Sequence, residues 1–369
     1  MSRKRKKFMI TLVLLLVTLS FGGYLFMQQP QFGKNPSGSH LDRIKQSPHY
    51  KNGAFQNQHL TPDLAEGISY FDILKAYFSK VSEKEPLKAL PSIKTDLKNI
   101  KSDQPVVVWF GHSSYFLRID GKNILVDPVF SGHASPVSFF GANYQGSNVY
   151  TLDDFPPLDL LIITHDHYDH LDYETVKNLQ PKVKKVITSL GVSSHLIRWG
   201  YIPSQITELD WWESTDIDNT FKITAAPARH FSGRGFKRMQ TLWASFVIQT
   251  PQNKVYVGGD SGYDTHFKEI GEKFGPFDLA ILECGQYHPY WKYIHMMPEE
   301  TVQAAVDLKA KVLLPVHWSK FTLALHPWHE PIKRLVAKAH ALNQNIVTPM
   351  IGEKVELEKN LPLKEWWVY

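Results

Sequence analysis

Short apolar runs, separated by glycine, proline and polar clusters, dominate the chain from about residue 104 onward. Residues 106–110, 115–119 and 123–126 are rich in Val, Ile, Leu and aromatic side chains, and Asp120-Gly121 supplies a tight turn, so the three read as a β-meander. Further runs at 160–163, 221–228, 254–257, 278–284 and 311–316 predict additional strands. Helical signals lie between them. Asp172 can cap a helix running through Glu174 to Leu179, and Pro298-Glu299-Glu300 opens another that continues to Leu308, with carboxylates at its positive end. Strands followed by alternating strand and helix predict an α/β (α+β) domain of two sheets with helices outside.

The N-terminal third reads differently. Arg3-Lys-Arg-Lys-Lys7 precedes residues 8–27, which carry no charge and match a bilayer span. No small-x-small cleavage site stands near Ser20-Phe-Gly-Gly-Tyr-Leu-Phe26, so the segment reads as an uncleaved signal anchor, with the remaining chain on the non-cytoplasmic side. Residues 28–60, rich in Gln, Asn, Gly, Pro and Ser, read as a linker threading across the domain surface. Phe71, Leu74, Tyr77, Phe78 and Val81 recur at helical spacing and predict one amphipathic helix over 68–81, its apolar face packed on the domain. The organisation is thus a basic stub and anchor (1–30), an extension (31–103) and a main α/β domain (104–369).

Charge changes this picture little. The net charge of +5 is accounted for by the five basic residues at 3–7, leaving the rest neutral and without the field that nucleic acid would need. The single cysteine, Cys284, excludes an intramolecular disulfide and any CxxC motif, and reads as buried. Most of the ten tryptophans read as core.

Candidate chemistry is concentrated in Thr164 to Asp172, THDHYDHLD, directly behind the apolar run at 160–163. Imidazole and carboxylate are ligands of zinc, iron and manganese, and histidine has no turn role that would explain its density here. His230, Asp260 and His317 each follow another apolar run, and strand ends at one sheet edge can converge. Seven such side chains (His165, His167, Asp169, His170, His230, Asp260 and His317) exceed what one tetrahedral ion can use, so two metals are read, with a shared water as nucleophile. Ser113 and Ser114 lie in GHSSY, which is not GxSxG, and are set aside as nucleophiles. His112, His133, His288, His326 and His329 read as structural.

THDHYDH resembles the HxHxDH motif of the metallo-β-lactamase superfamily, and His230, Asp260 and His317 follow in the order of its remaining ligands. VWFGHSSYFLRIDGKNILVDPVFS (108–131), PARHFSGRG (227–235), TLWASFVI (241–248), VYVGGDSGYD (255–264) and HMMPEE (295–300) are similar to the phospholipase D-like branch that hydrolyses N-acyl phosphatidylethanolamine. The resemblance implies an αββα sandwich and two Zn2+ ions, iron or manganese being alternatives. It assigns His165, His167 and His230 to one ion, Asp169, His170 and His317 to the other, and Asp260 to the bridge. It further implies catalytic roles for Asp169, Asp260 and His295; His295 aligns with a histidine beside the substrate phosphate, although Ile294 replaces that branch's preceding glutamine. The expected protein is a membrane-anchored, single-pass hydrolase of a phospholipid phosphodiester. Its rivals are a hydrolase of another ester or amide, such as a lactone, and a catalytically inactive membrane-tethered binding protein.

Overall fold

In the computed structural model, which describes residues 2–359 and 361–368, the strands from 106 onward form two mixed sheets packed face to face. The first runs, in spatial order, Lys354–Glu356, Val106–Trp109, Tyr115–Ile119, Lys122–Val126, Leu158–Ile163, Val183–Ser189 and Ile206–Leu209. The predicted meander is antiparallel, and from Lys122–Val126 onward each neighbour is parallel. The second sheet runs Leu313–Val316, Leu279–Glu283, Lys254–Val257, Ser245–Gln249, Phe221–Ala226 and Ser214–Asp218.

Burial explains why the central strands of the first sheet carry apolar residues at successive positions instead of alternating. Val107, Trp109, Leu117, Ile124, Leu160 and Ile162 point into the core shared with the second sheet. Their neighbours Val106, Val108, Phe116, Leu125, Leu161 and Ile163 pack beneath Val176, Leu179 and Leu196 of helices Tyr173–Leu179 and Ser193–Arg198. A strand covered on both faces can spare no polar position. Helices His266–Phe274, Pro298–Asp307 and Glu330–Leu342 contribute Phe267, Val302 and Leu335 to the large core cluster and complete an α+β sandwich. Leu160→Ala, fully buried between the sheets, should cost about 2–5 kcal/mol of unfolding free energy in a denaturant titration. A cost near zero would show that the two sheets do not share a close-packed core.

The extension is more ordered than a linker. After α1 (Arg3–Met27) come α2 (Ser39–Ile44) and a two-stranded hairpin at Tyr50–Lys51 and Ala54–Phe55, and Ile44 and Phe55 are fully buried in the main core. Helix α3 spans only Tyr70–Tyr77, started by a capping box of Ser69 and Asp72. Its apolar face is not packed on the domain, contrary to the sequence expectation: Phe71 is 72% and Leu74 53% exposed. Tyr70 and Ile73 instead line a cavity beside α3, and the rest of its apolar stripe is left outside. None of α1 is buried, and it is long and apolar enough to cross a membrane; a signal sequence meets the same description.

Candidate metal centre

Every predicted ligand follows the carboxyl end of a strand. His165, His167, Asp169 and His170 leave Leu158–Ile163, His230 follows Phe221–Ala226, Asp260 follows Lys254–Val257 and His317 follows Leu313–Val316. The Gly258-Gly259 turn delivers Asp260 where a side chain would not fit. A Cβ at Gly258 would stand 2.7 Å from the Ile281 carbonyl oxygen, and Gly259 has φ +63°.

These seven side chains converge on one buried cluster. His165 Nε2 and His230 Nε2 lie 3.0 and 3.1 Å from His167 Nδ1. His170 Nε2 and His317 Nδ1 each lie 3.1 Å from an Asp260 oxygen, while His165 and His230 approach the same carboxylate at 3.8 Å. Asp260 therefore sits between the His165/His167/His230 group and the Asp169/His170/His317 group. Donors about 2.0–2.1 Å from a tetrahedral zinc stand about 3.3 Å from one another, which is the spacing seen here. The buried His170 Nε2 and Asp260 Oδ1 have no hydrogen-bond partner, as expected of atoms that present lone pairs to a cation. The residues thus fit two metal ions.

Burial, helped by neighbouring imidazoles, pushes His165 and His317 well below the ordinary histidine range; burial does the same to His230. All three are neutral and free to coordinate. Burial alone would raise the Asp260 and Asp169 carboxyls, but His170 and the adjacent histidines hold both well below the usual carboxylate range. Surrounding groups fix the ring orientations. His170 Nδ1 donates to Asp127 at 2.8 Å, and His230 Nδ1 to the Ile294 carbonyl at 2.8 Å. Asp127 also accepts from the amide and hydroxyl of Thr164, the residue before His165.

His295 lies in the same cavity, its ring 5.3 Å from His317 and 5.0 Å from His230. Its Nδ1 is 2.7 Å from Glu283, a fully buried carboxylate at the end of Leu279–Glu283 that also accepts from the amides of Ser261 and Met296. Glu283 was not singled out by the sequence reading, although a charge within the apolar run 278–284 was its visible signal. Neither were Asp127 and Asp166. His112, expected to be structural, has its Nε2 2.9 Å from Asp169 and its ring 4.0 Å from His317, and it belongs to the metal-capable group with Asp169, His170 and His317. His133, His288, His326 and His329 stand outside the metal-capable groups found among the described residues.

The serines set aside earlier are both buried. Ser113 Oγ is 2.8 Å from His317 Nδ1, but Asp260 approaches that same nitrogen, so no relay of carboxylate, opposite ring nitrogens and hydroxyl can form. Cys284 is fully buried, and its thiol is pushed up by burial. Of the tryptophans, Trp291 lines the cavity, whereas Trp109, Trp211, Trp243, Trp318 and Trp367 are core.

The cavity holds about 380 Å3. His167, Asp169, His230, Asp260 and His317 line it together with the apolar Leu64, Ile73, Phe231, Ile294 and Leu323 and the polar Asp63, Arg238 and Gln286. Buried imidazoles and carboxylates arranged for two cations, open to such a cavity, constitute the site of a metal-dependent hydrolase.

Comparison with known proteins agrees with this geometry. Residues 122–318 match the beta-lactamase superfamily domain. An uncharacterised protein of Mycobacterium tuberculosis is 38% identical over 330 residues, covering 88% of each chain. N-acyl-phosphatidylethanolamine-hydrolyzing phospholipase D 1 of Caenorhabditis elegans is 33% identical over 263 residues, covering 66% of this chain and 74% of that one. Among solved structures, a metallo hydrolase of the archaeon Ignicoccus hospitalis superposes with a TM-score of 0.54 at 21% identity, over 69% of this chain and 99% of its own, which speaks to the fold alone. With its two-sheet sandwich, its ligands at the strand ends and a match over more than half its length, the chain belongs to the metallo-β-lactamase superfamily of hydrolases.

Proposed function

We propose that this protein hydrolyses a phosphodiester of a membrane phospholipid on the head-group side, releasing phosphatidic acid. One observation carries the reading: the cavity that holds the ligand cluster is also lined by Leu64, Ile73, Phe231, Ile294 and Leu323, and α3, which supplies Tyr70 and Ile73 to it, leaves Phe71 and Leu74 exposed. A polar centre beside an apolar channel suits a substrate with a phosphate at one end and acyl chains at the other. The similarity to the C. elegans phospholipase supports the same substrate class.

Two zinc ions, when bound, would activate water and neutralise charge developing on the phosphate oxygens. His165, His167 and His230 would hold one, Asp169, His170 and His317 the other, with Asp260 shared. The chain's own groups orient the substrate and handle its protons. His295, steadied by Glu283 through Nδ1, keeps Nε2 free toward the cavity and would protonate the leaving head-group oxygen. Leu64, Ile73 and Leu323 would hold acyl chains and exclude water around them.

Incubating purified protein with a mixed lipid extract should deplete an N-acylated or related glycerophospholipid and yield phosphatidic acid. Release of fatty acid with every phosphodiester intact would refute the reading. We further read α1 as a membrane anchor with the domain outside the cytoplasm, because about twenty uncharged residues suffice for a span and the preceding basic cluster stays inside. Protease added to intact cells or spheroplasts should then digest the domain. Digestion only after lysis would refute that orientation.

A further inference from the structure

The segment that follows α1 reaches the metal-ligand loops directly. The backbone N–H of Lys34 donates to His195 Nδ1 at 2.9 Å, which fixes the proton of His195 on Nε2, 3.2 Å from Asp166. Asp166 stands between His165 and His167, and its carboxylate also accepts from the Gly233 amide at 2.7 Å and the Thr241 hydroxyl at 2.9 Å. Arg234 repeats the connection. Its buried guanidinium donates to the Gln31 carbonyl at 2.7 Å and to the carbonyls of Asp166 and Leu171 at 2.7 and 2.8 Å. The contact is close-fitted: Gly33 has φ +68°, and a Cβ there would fall 2.0 Å from His195 Nδ1.

A second contact grips the other ligand loop. The Asn57 side chain donates to the His230 carbonyl at 2.8 Å and accepts from the His230 amide at 3.1 Å, tying down both polar groups of that residue's backbone. The Trp243 indole, donating to the same Asn57 oxygen at 3.0 Å, holds the amide in this orientation. Residues 31–57 thus touch the supports of His165, His167 and His230, the three members of one metal-capable group.

We propose that residues 31–57 are a clamp that assembles the His165/His167/His230 metal position, with Lys34 and Asn57 as positioning residues acting through His195 and His230. The inference rests on the metal reading of the cluster. Without the clamp, the two loops lose fixed hydrogen-bond partners, and the three imidazoles must be ordered at the expense of metal affinity. The Asp169/His170/His317 position has further supports in Asp127 and His112, and the clamp reaches it only through the Arg234 bond to the Leu171 carbonyl. Hydrogen-bond partners behind metal ligands typically contribute about 10–100-fold to affinity.

The test uses the full-length protein in detergent, loaded with zinc and titrated with a chelator, and reads zinc per chain together with circular dichroism and thermal midpoint. Asn57→Ala and Lys34→Pro, which removes the N–H that meets His195 and sets a ring carbon against that imidazole in its place, should each release one of the two ions at about 10–100-fold lower chelator concentration while the second is retained. Lys34→Ala keeps that N–H and should titrate like wild type. The cobalt-substituted variants should lose about half the absorption of the wild-type dinuclear site. Unchanged release of both ions in Asn57→Ala and Lys34→Pro would overturn the clamp. Loss of both ions together, alongside a collapsed thermal midpoint, would also overturn it, because the segment would then be a general structural support. Wild-type protein that binds no zinc or cobalt would instead refute the metal reading.

Discussion

Asp260→Ala should remain folded yet lose bound metal and at least about 10³-fold in hydrolysis, a loss of about 4 kcal/mol in transition-state stabilisation. The carboxylate lies within 3.8 Å of His165, His170, His230 and His317, so it contacts members of both ligand sets. Its removal leaves each position one ligand short. Asp260 is in a turn beyond Lys254–Val257 and outside the apolar cluster, so the sheets do not depend on it for packing. Zinc per chain and circular dichroism, measured on one sample, check the outcome. His165→Ala should behave similarly but with the Asp169/His170/His317 position still partly filled. A variant of Asp260 with full metal and normal turnover would contradict the dinuclear assignment.

His295→Ala should lower kcat by about 10²–10⁴-fold with little change in KM, the pattern of a group acting in the transition state and not in ground-state binding. The pH profile carries the sign. Burial alone would push His295 down, but the Glu283 carboxylate, 2.7 Å from its Nδ1, holds it above the ordinary histidine range. A group raised in this way loses its proton only as pH rises through that raised value, so a general acid should fail on the alkaline side. Glu283→Gln removes that holding charge. The alkaline limb should then move down, toward the ordinary histidine range near about 6.5. An alkaline limb that stays in place in Glu283→Gln would show that His295 is not the acid.

Much of the residue cluster could be read because the candidate ligands follow strands. The run Leu160 to Ile163 stops at THDHYDH, and Val316 is followed at once by His317, so periodicity and residue type mark the same positions. The supporting groups were less legible for a physical reason: their importance arises from tertiary distance. Asn57 sits in a polar stretch and looks like any loop amide until the fold brings it to the His230 backbone. Asp127 follows Val126 as His317 follows Val316, but a lone aspartate after a strand is ordinary turn chemistry.

The fold shows the same division. Continuous apolar runs predicted strands, and runs such as Leu160 to Ile163 are buried on both faces. The edge strand Ser214–Asp218, reading STDID and half exposed, offered no apolar run to find. For α3, spacing predicted an amphipathic helix but could not say whether its apolar face had a partner. The unpartnered Phe71 and Leu74 reveal the answer only in three dimensions.

Hydrolysis of a glycerophospholipid in heavy-oxygen water tests the central claim most directly, because it reports which atom water attacks. Attack on phosphorus, with departure of the head-group alcohol and no covalent enzyme intermediate, puts the label on the phosphate of phosphatidic acid even in a single turnover. Label in a released fatty acid would mean carboxyl-ester cleavage and would contradict the phosphodiesterase account.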